Sequence, residues 1–92
     1  MYTVIFSERA DKDILNIVEY IAADNPQAAK RFGSNLIELA LSLKALPHRG
    51  SRVKDRSGRL KLIHENYLIY YQINEEQRTI EILRFQHGAQ IK

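Results

Sequence analysis

The sequence predicts a small α+β domain with the element order β-α-α-β-β-β. In the first half, two segments carry apolar residues at the spacing of an amphipathic helix. In the second half, apolar and polar residues alternate with a period of two, and turn-forming residues separate the runs. The 92 residues suffice for one hydrophobic core, so we expect a single domain spanning residues 1–92. A helical hairpin would then cover one face of a mainly antiparallel four-stranded sheet.

The first strand and the first helix are predicted at the N-terminus. Residues 2–6 are β-branched and aromatic, which favours a strand. Ser7 follows as a suitable N-cap, and Glu8 places an acid in the first turn, where the helix dipole favours it. Apolar residues at i, i+4 and i+7 then continue through residues 10–21 and predict a helix that ends around residues 22–24.

A second helix is predicted to follow after a short link. Asn25 is suited to cap it, and Pro26 fits its first position, where a missing N–H has no cost. An apolar stripe runs over residues 29–46, and the helix should end before Pro47. Because the link is short, we expect the two helices to pack antiparallel with their apolar stripes against the sheet.

Residues 47–58 are predicted to form a basic loop, with glycine and serine residues as helix and strand breakers. Asp55 is the one acid in a window of eighteen positions that holds half of the basic residues, whereas residues 8–24 lean acidic. This polarity indicates an acidic partner or substrate, and a solvated loop that keeps the protein soluble is the alternative. The basic residues of the window are Lys44, Arg49, Arg52, Lys54, Arg56, Arg59 and Lys61.

The second half of the chain is predicted to be a three-stranded meander. If residues 65–66 form a two-residue hairpin turn, Leu62 pairs with Ile69 and Leu60 with Tyr71. The last strand is predicted over residues 79–85, and its facing stays ambiguous because apolar residues occur on both of its sides. The expected core face carries Leu60, Leu62, Tyr67, Ile69, Tyr71 and Ile73, and the opposite face carries Arg59, Lys61, Ile63, Leu68, Tyr70 and Gln72.

Composition excludes several classes of protein. No segment approaches the about 18 consecutive apolar residues that cross a bilayer, and the N-terminus lacks the features of a signal peptide. The absence of cysteine excludes disulfides and thiolate metal sites and fits a reducing cytoplasm. The three histidines are too scattered to suggest zinc. We therefore expect a cytoplasmic protein without a membrane segment, metal or cofactor.

The element order, the helical hairpin and the basic loop, together with residues 66–73 (NYLIYYQI) and 83–89 (LRFQHGA), resemble the RelE/ParE superfamily of small bacterial toxins. The resemblance covers nearly the whole chain. It implies the toxin of a type II toxin–antitoxin system, which arrests growth, serves plasmid stabilisation and is neutralised by a cognate antitoxin that wraps it.

One branch of the superfamily, the RelE-like toxins, cuts messenger RNA in the ribosome without a metal. Arg59 and Lys61 match two basic residues of that branch, whereas Leu68 and Gln90 stand where it has arginines. Neither leucine nor glutamine replaces the bidentate contact of a guanidinium to a phosphate. Under this alternative the catalytic residues would be Arg59, Lys61, Arg84 and His87.

Two histidines have the chemistry of a general acid or base at neutral pH. His87 could instead be a turn residue whose ring packs at the end of the strand, and His64 a solvated hairpin residue. Some relatives of the RelE-like nucleases use a glutamate with a C-terminal histidine-tyrosine pair, but here Gly88 follows His87 and no tyrosine lies beyond it.

The other branch, the ParE-like toxins, binds DNA gyrase and traps its cleaved-DNA state. Residues 83–88 match the closing pattern Leu-Arg-x-x-His-Gly of that branch, Ala89 continues it, and Gln90 departs from it. The resemblance therefore favours a gyrase-binding inhibitor over an enzyme, with no residue in a catalytic role. A degenerate ribosome-dependent endoribonuclease and an inactive relative that only binds its antitoxin are the alternatives.

The expected contact surface combines the basic loop with the face of the sheet that the helices leave open. An acidic, amphipathic antitoxin segment that folds on binding would fit this mixture of apolar and basic groups, and homodimerisation through the same face is left open. Strand-face cations can also be merely solvated, and Arg84 could pair with Glu81 or Glu65. The candidate partner-binding residues are Arg52, Lys54, Arg56, Arg59, Lys61, Ile63, Leu68, Tyr70 and Arg84.

Overall fold

A computed structural model describes residues 1–55 and 57–87, and its architecture confirms the predicted α+β class. Two helices pack on one face of a mixed sheet. None of the helices within the described ranges combines the length and apolar character needed to cross a membrane. The elements are β1 (Thr3–Phe6), α1 (Glu8–Ala22), α2 (Pro26–Leu41), β2 (Ser51–Arg52), β3 (Leu60–His64), β4 (Tyr67–Asn74) and β5 (Thr79–His87), with 3₁₀ turns at Ser42–Lys44 and Pro47–Arg49.

The described part of the chain forms a five-stranded sheet in the order β1-β5-β4-β3-β2. β1 runs parallel to β5, and the remaining neighbours are antiparallel. The predicted count of four strands is therefore one too low. The additional strand, β2, lies within the predicted basic loop and pairs Ser51 with Lys61 and Arg52 with Leu60. Its two residues are too few to show the alternation by which a strand is recognised in a sequence.

Both predicted helix caps are confirmed. The Ser7 hydroxyl accepts a hydrogen bond from the Ala10 N–H at 3.0 Å, and the Asn25 side chain accepts one from the Ala28 N–H at 3.1 Å. Pro26 occupies the first turn of α2, as its lack of an N–H predicts. α2 ends five residues earlier than the last residue of the apolar stripe, because the chain tightens into a 3₁₀ turn at Ser42–Lys44.

The helices contact each other closely where Gly33 of α2 faces Val18 of α1. A Cβ at position 33 would lie 3.0 Å from the Val18 Cγ2 atom, so glycine permits this approach. The core between the helices and the sheet is assembled from the two helical stripes and the predicted core face of β3 and β4. Its buried members include Ala10, Ile17, Leu36, Ala40, Leu43, Leu60, Leu62, Ile69, Tyr71, Ile80, Ile82 and Phe85.

The register of the β3–β4 hairpin is confirmed. Leu62 lies opposite Ile69 and Leu60 opposite Tyr71, with residues 65–66 as the turn. Glu65 takes a positive φ of 55°, as two-residue hairpin turns require. This register sends the four paired side chains into the core and leaves the alternating residues on the opposite face.

A β-bulge settles the facing of the last strand. Ile82 lies opposite Tyr71, but Arg84 lies opposite Tyr70, so Leu83 is an extra residue in β5. The bulge shifts the alternation by one position. For this reason Ile80 and Ile82 on one side of the bulge and Phe85 on the other all reach the core.

Candidate functional site

The face of the sheet away from the helices, here called the open face, brings together most of the predicted contact residues. Residues directly opposite each other in neighbouring strands share a face. One cross-strand row is Lys61, Tyr70 and Arg84, and the next is Ile63, Leu68 and Gln86. The open face therefore combines a basic row and an apolar row, as the alternation in the sequence predicts.

The apolar row is concentrated toward the β3–β4 turn. Ile63 is 64% exposed, and its cross-strand partner Leu68 is half-buried. Ile63 therefore makes little contribution to the core, although it lies beside the apolar side chain of Leu68. The pair forms an apolar patch on the surface, a feature that is common where proteins contact a partner.

Beside these rows lies a cleft of about 280 Å³, here called the arginine cleft. Two guanidinium groups, a phenol and an amide converge on it from three different parts of the chain. Arg59 precedes β3, and Tyr70 lies on β4. Arg84 and Gln86 lie on β5, beyond its bulge. The residues that line the cleft are Val53, Asp55, Arg59, Tyr70, Arg84 and Gln86.

On one wall of the arginine cleft, Arg59 forms an ion pair with Asp55. The Arg59 Nη2 atom lies 3.6 Å from the Asp55 Oδ2 atom, and both side chains are about half exposed. The Asp55 Oδ1 atom accepts a hydrogen bond from the Ser57 N–H at 3.0 Å. Hydrogen bonds from Ser57, and secondarily the charge of Arg59, lower the pKa of the Asp55 carboxyl. Asp55 is therefore held as an anion at the mouth of the cleft.

On the other wall, Arg84 is bound to Asp13 of α1. Its Nε atom donates to Asp13 Oδ2 at 3.3 Å and its Nη2 atom to Asp13 Oδ1 at 3.5 Å. The expectation that Arg84 pairs with Glu81 or Glu65 is therefore wrong. The bulge at Leu83 places Arg84 where α1, rather than the sheet, supplies the nearest carboxylate.

Asp13 is the residue of this site that the sequence interpretation missed. It is only 8% exposed, and its Oδ2 atom also accepts the Phe85 N–H at 3.1 Å. β1 pairs with β5 only as far as Ile82, so α1 runs along the edge of β5 beyond that point. A signal was present in the sequence, because Asp13 falls between Ala10 and Ile17 in the apolar stripe of α1, where a carboxylate needs a buried partner.

His87 lies on the helix side of the sheet, away from the open face. Its ring meets the Phe32 ring of α2 edge-on, with centroids 4.8 Å apart, and its cross-strand neighbour Tyr67 does the same at 4.5 Å. The His87 Nδ1 atom is buried without a hydrogen-bond partner among the described residues. The structure thus brings Arg59, Lys61 and Arg84 to one face and separates His87 from them. His64 is exposed at the end of β3.

The remaining candidates lie at the periphery of the open face. Arg52 lies opposite Leu60 at the edge of the sheet, so it shares the side of a core residue rather than the open face. Lys54 is exposed in the turn that follows β2. Arg56 and Gln90 lie outside the described residues. Within the described ranges, no group of three or more histidine, aspartate and glutamate side chains is placed to hold a metal ion.

Comparison with known proteins gives a consistent family assignment. The sequence matches the family model described as the ParE toxin of the type II toxin–antitoxin system parDE over residues 4–92. No protein of the curated set matches significantly.

Three solved structures with the same fold come from toxin–antitoxin complexes or systems. A chain of the RelBE2 toxin–antitoxin complex from Mycobacterium tuberculosis is 26% identical, with a TM-score of 0.76 over 94% of this chain and 96% of the other. A chain of the chromosomal ParDE system from P. aeruginosa is 20% identical, with a TM-score of 0.79 over 95% and 96%. A chain of the intact E. coli RelBE complex is 16% identical, with a TM-score of 0.62 over 95% and 96%.

Proposed function

The chain belongs to the ParE toxin family of type II toxin–antitoxin systems, and on that premise we propose that it inhibits DNA gyrase by binding the enzyme and trapping its cleaved-DNA state. The match to the ParE family over residues 4–92 is the observation that carries this proposal. Growth arrest and plasmid stabilisation would follow from the same activity. Binding rather than turnover is the proposed mode of action.

The side chains of the open face support binding over catalysis. Leu68 occupies the position at which the nuclease branch is expected to have an arginine, and its side chain lies on the open face. His87, the candidate general acid or base, packs against Phe32 on the other side of the sheet. The loss of one transition-state donor typically lowers a rate by about 10²- to 10³-fold. The open face therefore retains groups for recognition, and His87 does not lie beside the arginines.

We place the gyrase contact on the open face. Lys61 and Arg59 supply positive charge, and the Ile63–Leu68 pair supplies apolar area next to it. An interface of this type combines an apolar centre with a charged rim that steers association. Ile63 is the residue that we expect to be buried most completely on binding, because it is the most exposed side chain of the apolar row.

We also propose that a cognate antitoxin binds this chain and covers the open face. The structural relatives described above come from toxin–antitoxin complexes and systems. An acidic, amphipathic segment would match the basic and apolar rows of the open face at the same time. Cytoplasmic action is part of the proposal, since gyrase and the antitoxin are both cytoplasmic partners.

The second candidate function is ribosome-dependent cleavage of messenger RNA. It is favoured by the placement of Arg59, Lys61 and Arg84 on one face and by the 26% identity to a chain of the RelBE2 complex. Transcripts from cells expressing the chain would then carry cuts at fixed codon positions on the ribosome. Intact transcripts during growth arrest would exclude this function.

A gyrase cleavage assay tests the leading proposal. Purified chain is incubated with gyrase and supercoiled plasmid, and linear DNA is scored after protein digestion. We expect cleaved DNA to accumulate with the native chain and to decrease strongly with the Arg59→Ala/Lys61→Ala variant. The Lys30→Ala/Arg31→Ala variant is the matched control, since it removes two exposed cations from α2 and should retain activity.

The outcomes of this assay separate the candidate functions. Full activity of the Arg59→Ala/Lys61→Ala variant would exclude the open face as the contact surface. No cleavage by a folded native chain, combined with codon-positioned cuts in transcripts, would replace gyrase by the ribosome as the target. Neither activity and no growth arrest would identify an inactive relative that only binds its antitoxin.

A further inference from the structure

We propose that the arginine cleft is a binding site for one phosphodiester group of a nucleic acid, and that the Asp55 carboxylate occupies this site in the free protein. This inference deepens the proposed function and rests on it, because a gyrase poison acts where cleaved DNA is held. It adds a direct contact between the toxin and the nucleic acid backbone to the contact with the enzyme.

The cleft offers donors for an anion from several directions. Arg84 commits its Nε and Nη2 atoms to Asp13, which fixes the plane of its guanidinium and leaves Nη1 outside that pair. The Tyr70 hydroxyl and the Gln86 amide line the same cleft. A guanidinium that is already oriented by a buried carboxylate loses little rotational freedom when it binds a second anion.

Asp55 presents to Arg59 the chemistry that a phosphate would present. Carboxylate and phosphate oxygens both accept the paired N–H groups of a guanidinium. The Asp55 Oδ2 atom lies 3.6 Å from Arg59 Nη2, while its Oδ1 atom is tied to the Ser57 N–H. Asp55 is therefore positioned to compete with a phosphate for the Arg59 guanidinium.

Charges around the cleft favour a polyanion over an isolated anion. Lys61 lies in the same row of the open face as Tyr70 and Arg84, and Lys54 is exposed next to Asp55. A nucleic acid backbone carries evenly spaced phosphates that can contact several such cations at once. The half-buried Tyr70 side chain also lines the cleft, and a tyrosine ring is a group on which a nucleic acid base can stack.

The experiment measures binding of short labelled probes to the purified chain by fluorescence anisotropy, without gyrase. The probes are a single-stranded DNA, an RNA of the same sequence and a peptide of equal negative charge. We expect both nucleic acids to bind more tightly than the peptide, with an affinity that falls as salt rises. The logarithm of the binding constant falls linearly with the logarithm of the salt concentration. This dependence should become less steep by about 0.7 in Arg59→Ala, as for the loss of one phosphate contact. It should be unchanged in Arg31→Ala.

Asp55→Asn provides the sharper variant because it should gain affinity. Asparagine keeps an oxygen for the Ser57 N–H but removes the charge that competes for Arg59. We expect about two- to fivefold tighter oligonucleotide binding, the range set by an exposed ion pair. Glu76→Gln is the matched control, since it removes one exposed acid in the β4–β5 turn. In the Arg59→Ala background the gain from Asp55→Asn should disappear, because the two residues act on the same contact.

Each outcome bears on the phosphate site separately from the gyrase proposal. Equal gains in Asp55→Asn and Glu76→Gln, or equal losses in Arg59→Ala and Arg31→Ala, would overturn the site even if gyrase is inhibited. Preferential binding of the peptide would overturn it as well and would identify an acidic protein segment as the occupant. If both oligonucleotides bind, the site is supported and DNA can supply the phosphodiester group. If the RNA alone binds, the site is supported and RNA supplies that group. Both conclusions hold whatever the gyrase assay shows.

Discussion

The Arg84 guanidinium and the Asp13 carboxylate lie 71 residues apart in the chain and join α1 to β5, with Nε 3.3 Å from Oδ2. The same carboxylate accepts the Phe85 N–H at 3.1 Å, and Arg9 of α1 approaches it from the solvent side at 3.5 Å. β1 pairs with β5 only as far as Ile82. Beyond that point the Asp13 carboxylate, rather than a neighbouring strand, accepts the backbone N–H of Phe85. It couples the helical layer to a residue of the open face.

Replacing Asp13 by alanine should destabilise the fold. The substitution leaves the Phe85 N–H without its acceptor and Arg84 without its partner. We expect a loss of about 2–4 kcal/mol in the free energy of unfolding, as for a buried, hydrogen-bonded charge. Urea denaturation measures the loss, and Glu19→Ala, at an exposed position of α1, should change it little. A loss in Asp13→Ala no larger than in Glu19→Ala would show that the contact contributes nothing.

The Tyr71 hydroxyl should stabilise the segment that leads into β2. It donates to the Pro47 carbonyl at 2.7 Å and accepts from the Gly50 N–H at 2.9 Å. Tyr71→Phe leaves both backbone groups unpaired and should cost about 1–3 kcal/mol. Tyr20→Phe is the control, since Tyr20 is exposed on α1. Equal denaturation midpoints for the two variants would contradict this role.

Ionisation of the Tyr71 hydroxyl should lower the stability of the folded chain in alkali. Burial is the main cause that raises the pKa of Tyr71 above its ordinary value of 10.0, while the Gly50 N–H and Arg49 oppose it. A raised pKa in the folded state means that the stabilising contribution is complete below about pH 10 and is lost as the pH rises through the folded value. Unfolding free energies measured from pH 8 to 12 should therefore fall less steeply in Tyr71→Phe than in the native chain. If the unfolding free energy fell equally with pH in both proteins, Tyr71 would not be the source of the loss.

Gly50 should not tolerate a side chain. A Cβ at this position would lie 2.6 Å from the Lys61 carbonyl oxygen and 2.7 Å from the Tyr71 hydroxyl. Because its φ of −81° suits any residue, the penalty arises from steric overlap and not from backbone conformation. We expect Gly50→Ala to cost about 1–3 kcal/mol. Ser51→Ala, at the exposed neighbouring position, should cost much less in the same thermal or urea melt.

Ile63 should contribute to partner binding and not to stability. Its side chain is 64% exposed, so Ile63→Ser removes little buried area in the free protein. Burial of this side chain by a partner is worth about 1–2 kcal/mol, or roughly tenfold in affinity. Gyrase-dependent DNA cleavage should therefore require about ten times more protein in Ile63→Ser. Leu15→Ser is the matched control on α1, where an apolar side chain is similarly exposed, and an equal loss there would reject the open face as the contact surface.

The sequence alone determined the features that depend on neighbours along the chain. Ser7 and Asn25 cap helices because their side chains reach an N–H three residues away. The β3–β4 register followed from the two-residue turn and the alternation, since a shift by one residue would turn Leu62 out of the core. The resemblance to the toxin superfamily rests on these same local patterns, and it correctly gave the family.

Only the tertiary structure decided the features that depend on distant contacts. β2 is defined by its pairing with β3, and the segment before it is held by hydrogen bonds of Gly50 and Pro47 to Tyr71, more than 20 residues away. Its two residues carry no periodic signal. The bulge at Leu83 sets the direction of Arg84, and the short β1 leaves the edge of β5 to Asp13. The separation of His87 from the open face follows from the same shift of alternation. Local patterns specify the buried residues of the helices and of the β3–β4 hairpin, whereas the facing of β5 and the partner of a buried charge depend on which elements the fold brings together.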